Sequence, residues 1–125
     1  MGDLLENAAA WLGDMRARFL SRPVTYSRAA ASVPVAAAVG RTEFAVDDGY
    51  GVVERWESRD FLIAARDLVL GGTVVLPAAG DRVSETQDGK VFVYEVMAPG
   101  KEPCWRYSDP YRRTLRIHTK QVAME

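Results

Sequence analysis

The sequence is poor in the residues from which most catalytic and metal centres are built. It holds one cysteine, Cys104, and one histidine, His118, in 125 residues. A lone cysteine excludes an internal disulfide and a cysteine-based metal cluster. Zinc sites draw on several Cys or His ligands, which one histidine does not supply. Long apolar runs are also missing: the longest, Ala29–Gly40 (AAASVPVAAAVG), is too short and too small-residued to span a bilayer. No cationic, then apolar, leader opens the chain, since Asp3 and Glu6 stand where a signal peptide carries cations. This predicts a protein made and kept in the cytoplasm. A strong excess of either charge is absent too, the net charge being −1, which excludes a dedicated DNA-binding domain with a strongly basic face.

Catalytic motifs are equally scarce. There is no GxxxxGK[ST] loop and no GxSxG elbow, and Gly49-Tyr50-Gly51 lacks the third glycine of a dinucleotide fingerprint. The acids Glu54, Glu57 and Asp60 read as a solvated strand face, and Asp47-Asp48 as turn formers that bond local backbone. No catalytic residue, no cofactor and no metal is expected.

What the chain does contain is a helix followed by strands. In DLLENAAAWLGDMRARFL, Asp3 and Glu6 have capping-box spacing, and Leu4, Ala8, Trp11, Met15 and Phe19 recur at three- or four-residue steps. Pro23 ends that pattern. The expected division is therefore a helix over 1–22 and a β domain over 23–125. Trp11, Met15 and Phe19 form a docking face, either onto the domain's own core or onto a neighbouring subunit.

From Val24 on, apolar and polar residues alternate. Strands are expected at Val24–Arg28 and Thr42–Val46, with an edge or irregular strand at Ser32–Gly40 because of Pro34. A long strand over Tyr50–Ile63 is expected to bend or bulge near Glu57–Arg59. A helical or 3₁₀ turn should fill Ala64–Gly72, then a short strand Thr73–Leu76 and a tight turn Pro77–Asp81. Asp88-Gly89 predicts a hairpin of Arg82–Glu85 with Val91–Met97. Two last strands, Trp105–Tyr107 and Tyr111–Val122, flank Ser108-Asp109-Pro110. Seven or eight short strands with regular turns predict a mainly β fold: a small antiparallel β-barrel with an N-terminal amphipathic helix. Ala29–Ala38, compositionally biased, reads as a flexible or partner-ordered segment.

The C-terminal segment CWRYSDPYRRTLRIHTK concentrates cations. Residues 104–125 carry five Lys/Arg against two acids, whereas residues 1–103 carry 11 against 15. Period-two counting puts Arg112, Thr114, Arg116, His118 and Lys120 on one face, opposite Leu115 and Ile117. His118 reads as an exposed strand histidine. A basic row beside Trp105, Tyr107 and Tyr111 also suits an OB-like single-stranded nucleic-acid-binding module, where aromatic faces stack bases.

The order Arg59-Asp-Phe-Leu-Ile63, Asp67-Leu68, Pro77-Ala-Ala-Gly-Asp-Arg-Val83, Val93-Tyr-Glu-Val96 and Trp105-Arg-Tyr-Ser-Asp-Pro-Tyr-Arg-Arg-Thr-Leu-Arg-Ile117 resembles the tailed-bacteriophage head-tail joining proteins, also called head-completion or stopper proteins. The resemblance implies a virion subunit at the head-tail interface, assembled in the host cytoplasm. It implies a homo-oligomeric ring, six- or twelve-fold, between portal or adaptor and tail proteins. That ring closes the filled head, accepts the tail, and passes double-stranded DNA through its lumen, with no membrane involved. An adaptor ring or tail terminator of the same connector is the alternative within that resemblance. On this reading Arg112, Arg116, His118 and Lys120 face a neighbouring subunit or DNA. Asp81, Ser108, Asp109 and Pro110 fix turns, and either Asp47–Tyr50 or Ala29–Ala38 reaches into the channel.

Overall fold

The computed structural model describes residues 5–8, 10–11, 21–47, 49–100 and 102–125, and the backbone alone of Val46. Nine strands follow one another: β1 (Arg22–Arg28), β2 (Ala31–Asp47), β3 (Val53–Ala64), β4 (Val69–Leu70), β5 (Thr73–Val74), β6 (Arg82–Gln87), β7 (Lys90–Val96), β8 (Trp105–Tyr107) and β9 (Thr114–Met124). Seven of them form one antiparallel sheet in the order β3-β2-β1-β6-β7-β9-β8. A further β3–β9 pairing, from Arg59↔Thr119 to Ala64↔Thr114, closes β3 onto β9 in a barrel-like circuit, with β8 appended to β9. The expected mainly β, barrel-like architecture is what the chain adopts. Of the predicted N-terminal helix, residues 5–8, 10 and 11 are helical; Asp3, Met15 and Phe19 lie outside the described residues.

Alternation decides which side chains enter the barrel. Tyr26, Phe61, Ile63, Val83, Val96, Leu115 and Ile117 point inward and are fully buried, each such side chain contributing about 1.5–3 kcal/mol. A 3₁₀ turn at Ala65–Asp67 follows β3, and Leu68 at its end and Leu70 of the small β4–β5 hairpin join the same core. Gly71 and Gly72, at φ +61° and +82°, make the hairpin's two-residue turn. The β6–β7 hairpin turns at Asp88-Gly89 as expected, with both residues at positive φ.

Two expectations need correction. Ser32–Gly40 belongs to a 17-residue strand, so the Ala29–Ala38 segment is a turn followed by paired strand. Pro34 is tolerated because, among the described residues, residues 31–36 pair only with β1, which makes this part of β2 the edge strand expected from Pro34. β2 pairs with β1 up to Ala37 and with β3 from Ala37 onward. The bend or bulge expected near Glu57–Arg59 leaves no mark on the pairing: β2 and β3 stay in step from Ala37↔Ile63 to Asp47↔Val53. The register shift falls instead between Val93 and Tyr94, where β7 meets β9.

Candidate assembly interface

Beyond the Arg59↔Thr119 pair, β3 no longer has β9 beside it, yet its pairing with β2 continues to Asp47↔Val53. Thr42–Asp47 and Val53–Ser58 therefore form a two-stranded arm that extends past the closed circuit. At its tip the Asp47 carboxylate accepts the Gly49 N–H at 2.8 Å, and Gly49 and Gly51 take positive φ. Tyr50, Val52 and Val53 are exposed.

The arm is fastened at its base by Asp60, which is fully buried. The Asp60 carboxylate accepts hydrogen bonds from Arg116 Nε at 2.7 Å and from His118 Nδ1 at 2.8 Å, and from the hydroxyls of Ser58 and Thr42. Arg116 also donates to the Arg41 carbonyl at 2.9 Å. Burial alone pushes the Asp60 carboxyl up, but the hydrogen bonds from His118, Ser58, Thr42 and Arg116 outweigh it and hold the group well below the usual carboxylate range. Phe44 lies edge-on to the His118 ring at 5.1 Å and packs on Trp56 across the arm at 5.7 Å. Lys120 places its ammonium 5.9 Å from the Trp56 ring.

Ser58, His118 and Asp60 are three residue types found together in hydrolase triads, but the geometry here is different. The Ser58 hydroxyl donates to Asp60 and approaches Nδ1, the same ring nitrogen that faces the carboxylate. A triad serine bonds the other nitrogen. All three side chains are buried. Among the described residues no group of three or more His, Cys, Asp or Glu is placed to hold a metal.

Inside the barrel mouth a second carboxylate is clamped. Glu85, buried, accepts Arg22 Nη1 at 2.7 Å and Arg59 Nη2 at 2.8 Å, while Arg59 lies over the Tyr94 ring at 4.9 Å. Burial raises the Glu85 carboxyl, and the two guanidinium bonds more than reverse it, leaving the group below its ordinary value. A third carboxylate, Asp81, accepts Arg28 through two nitrogens at 2.8–2.9 Å, the Ala78 N–H at 2.9 Å and the Tyr26 hydroxyl. Its value too is lowered, the Arg28 and Tyr26 bonds outweighing burial. Between the arm and β9 opens a cleft of about 540 Å³, lined by Val39, Arg41, Glu57, Arg59, Tyr94, Lys120 and neighbours.

The structure separates the four cations of the C-terminal segment. Arg112 is not on the strand: it sits in the loop before β9, exposed, at φ +59°, with its guanidinium 5.9 Å from the Tyr107 ring. Asp109 sets that loop by accepting the N–H groups of Arg113 and Thr114 at 3.0 and 2.9 Å, which delays β9 to Thr114. Arg116 is partly covered and ion-paired with Asp60. His118, read as exposed, is only 4% exposed, because Phe44 and the Asp60 network cover the outer face of β9. Lys120 is exposed. Likewise Glu54 and Glu57 are exposed as expected, but Asp60 is not. Asp81 and Asp109 hold turns as expected. Trp11 is 59% exposed, and Glu6 near it pairs with Arg113 at 3.0 Å. Cys104 is half-buried against the core, and burial pushes its thiol up. Sequence reasoning missed Arg59, Glu85 and Arg22; the one available signal was Glu85 at an inward position of a hairpin strand.

Fold and site together define a barrel-like structural module whose polar side chains are spent on fastening strands and an extended arm. Residues 2–125 match the family of phage head-tail joining proteins, and the chain belongs to that family. No curated protein matches the sequence. The protein is thus a structural component of the phage head-tail connector. No helix among the described residues is long and apolar enough to cross a membrane.

Proposed function

We propose that copies of this chain form a closed ring between the portal or adaptor proteins and the tail, which retains DNA in the filled head and accepts the tail. The observation that carries this reading is the β2–β3 arm. It extends past the barrel, keeps ladder edges open on both strands among the described residues, and ends in exposed apolar side chains. Open edges and apolar tips are stabilised when another chain covers them. Family membership supports the site of action in the virion, with assembly in the host cytoplasm, and double-stranded DNA passing through the lumen follows from that position. The ring has six or twelve subunits, and the N-terminal segment, helical at residues 5–8, 10 and 11, works as a separate docking element attached to the β domain, which begins with β1 at Arg22 rather than at residue 23.

Arg112 and Lys120 are the exposed cations that meet a neighbour or passing phosphates, while Arg116 and His118 serve by holding the arm through Asp60. Trp11 belongs to the helix face that docks on a neighbour. A stacking platform for single strands finds less support. Trp105 and Tyr107 pack edge to face at 5.0 Å and rest on the core, and Arg112 lies over Tyr107.

Native mass spectrometry of the purified protein, alone and with its phage's portal protein, tests the reading. Discrete six- or twelve-subunit rings are expected. A persistent monomer that binds single-stranded DNA in a salt-sensitive way would replace it with the single-strand-binding alternative.

A further inference from the structure

The arm and the cleft at its base have opposite electrostatic character. Residues 43–57 contain five acids (Glu43, Asp47, Asp48, Glu54 and Glu57) against one base, Arg55. The tip adds Tyr50, 92% exposed, and Val52 and Val53, each more than half exposed. The cleft presents Arg41, Arg59 and Lys120 against a single acid, Glu57. Glu85 occupies Arg59 at 2.8 Å, and Arg41 meets Glu57 only at 3.9 Å with both side chains exposed. Lys120 has no ion-pair partner among the described residues, so Arg41 and Lys120 carry the attraction.

The backbone framing the cleft is also incomplete. Val53–Ser58 of β3 pairs only with β2, and Lys120–Met124 of β9 pairs only with β7, among the described residues. Two strand edges thus flank the opening, each offering N–H and C=O groups to an added extended segment.

We propose that the cleft receives the arm tip of a second copy of this chain, each subunit giving its arm to one neighbour and taking the arm of the other. This deepens the ring reading and rests on it. The tip is acidic and apolar where the cleft is basic and edge-exposing. A nucleic acid laid along the arm would set its phosphates beside the arm's five acids, and one in the cleft would still meet Glu57, which disfavours it. Tip and cleft are different patches on one chain, so their contact is heterologous and propagates until rotation closes it. They lie about 20 Å apart along the arm, six residues at roughly 3.3 Å each from Arg41 to Asp47, which sets the step between neighbours.

Disulfide trapping tests the proposal. In full-length protein with Cys104→Ser, the pair Val52→Cys and Gln121→Cys is oxidised and run on non-reducing gels. A ladder of multimers is expected, while either cysteine alone gives at most dimers. Arg41→Glu with Lys120→Glu should abolish the ladder, and adding Asp47→Lys with Glu54→Lys should restore it; circular dichroism checks that each variant is folded. If native mass spectrometry shows rings but the double-cysteine protein gives no ladder, the arm lies elsewhere, for example in the lumen, and only this proposal falls. If neither rings nor ladder form at any concentration or on the portal, both readings fall.

Discussion

His118 Nδ1 lies 2.8 Å from Asp60 Oδ1, two side chains 58 positions apart in sequence that meet directly across the β3–β9 pair. Arg116 joins the same carboxylate at 2.7 Å. Asp60 is thereby the acceptor that ties the last strand to the root of the arm. Asp60→Asn keeps the shape but removes the charge and half of the accepting capacity, leaving a guanidinium and an imidazole N–H underpaired. A loss of about 3 kcal/mol is expected, since removing one partner of a buried charged pair leaves the other uncompensated. Urea denaturation checks it, and a change under about 0.5 kcal/mol would mean that the network contributes nothing net.

The three clamped carboxylates predict the acid limb of stability. Asp60, Asp81 and Glu85 all titrate lower in the folded chain than in the unfolded one. Their stabilisation is complete above the unfolded values, near pH 4, and is lost as pH falls through the lower folded values. Melting temperature should hold from pH 7 to about 5 and then drop continuously toward pH 2. A rise between pH 5 and 3 would contradict this assignment.

Tyr26 predicts the alkaline limb. Burial, and then the hydrogen bond to Asp81, pushes its hydroxyl above the ordinary tyrosine range. Its contribution is present below about pH 10 and fades above it. Tyr26→Phe leaves an acceptor of Asp81 short of one donor and should cost about 1–2 kcal/mol, measured by the same denaturation.

Arg112 separates stability from assembly. A non-glycine residue at φ +59° is strained, so Arg112→Gly should raise stability by about 0.5–1 kcal/mol. If Arg112 faces a neighbour, the same variant forms fewer rings on native mass spectrometry. Equal ring yield with higher stability would remove Arg112 from the contact surface.

Trp11→Ala bears on the helix face. Because Trp11 is more than half exposed, its loss should alter stability by no more than about 0.5 kcal/mol while lowering ring yield. A large fall in melting temperature would instead show that the indole supports the subunit's own core.

The turns of this fold were readable in the sequence, and so was its family. Asp88-Gly89 and Pro34 each impose a local backbone requirement, and the structure meets both, whereas Gly71-Gly72, expected to close a helical or 3₁₀ turn over Ala64–Gly72, turns the β4–β5 hairpin instead. Period-two counting also put Leu115 and Ile117 inside. It failed on the opposite face, because alternation assigns a residue to a side without saying what lies over that side. His118 and Asp60 are buried by Phe44 and by one another, and these contacts span dozens of residues. The same limit hid Glu85, whose two guanidinium partners come from β1 and β3. Arg112 was misplaced for a local reason: Asp109 captures the N–H groups that an earlier start of β9 would have used.

The six residue pairs joining β3 to β9 run lengthwise down the barrel wall, in line with the arm that β3 continues into. A pull along the arm therefore loads those pairs in shear, all at once, instead of peeling them apart one after another. Tension applied at the tip is spread over the whole seam and its buried Asp60 rivet, so the subunit yields by sliding a full strand rather than by unzipping pair by pair.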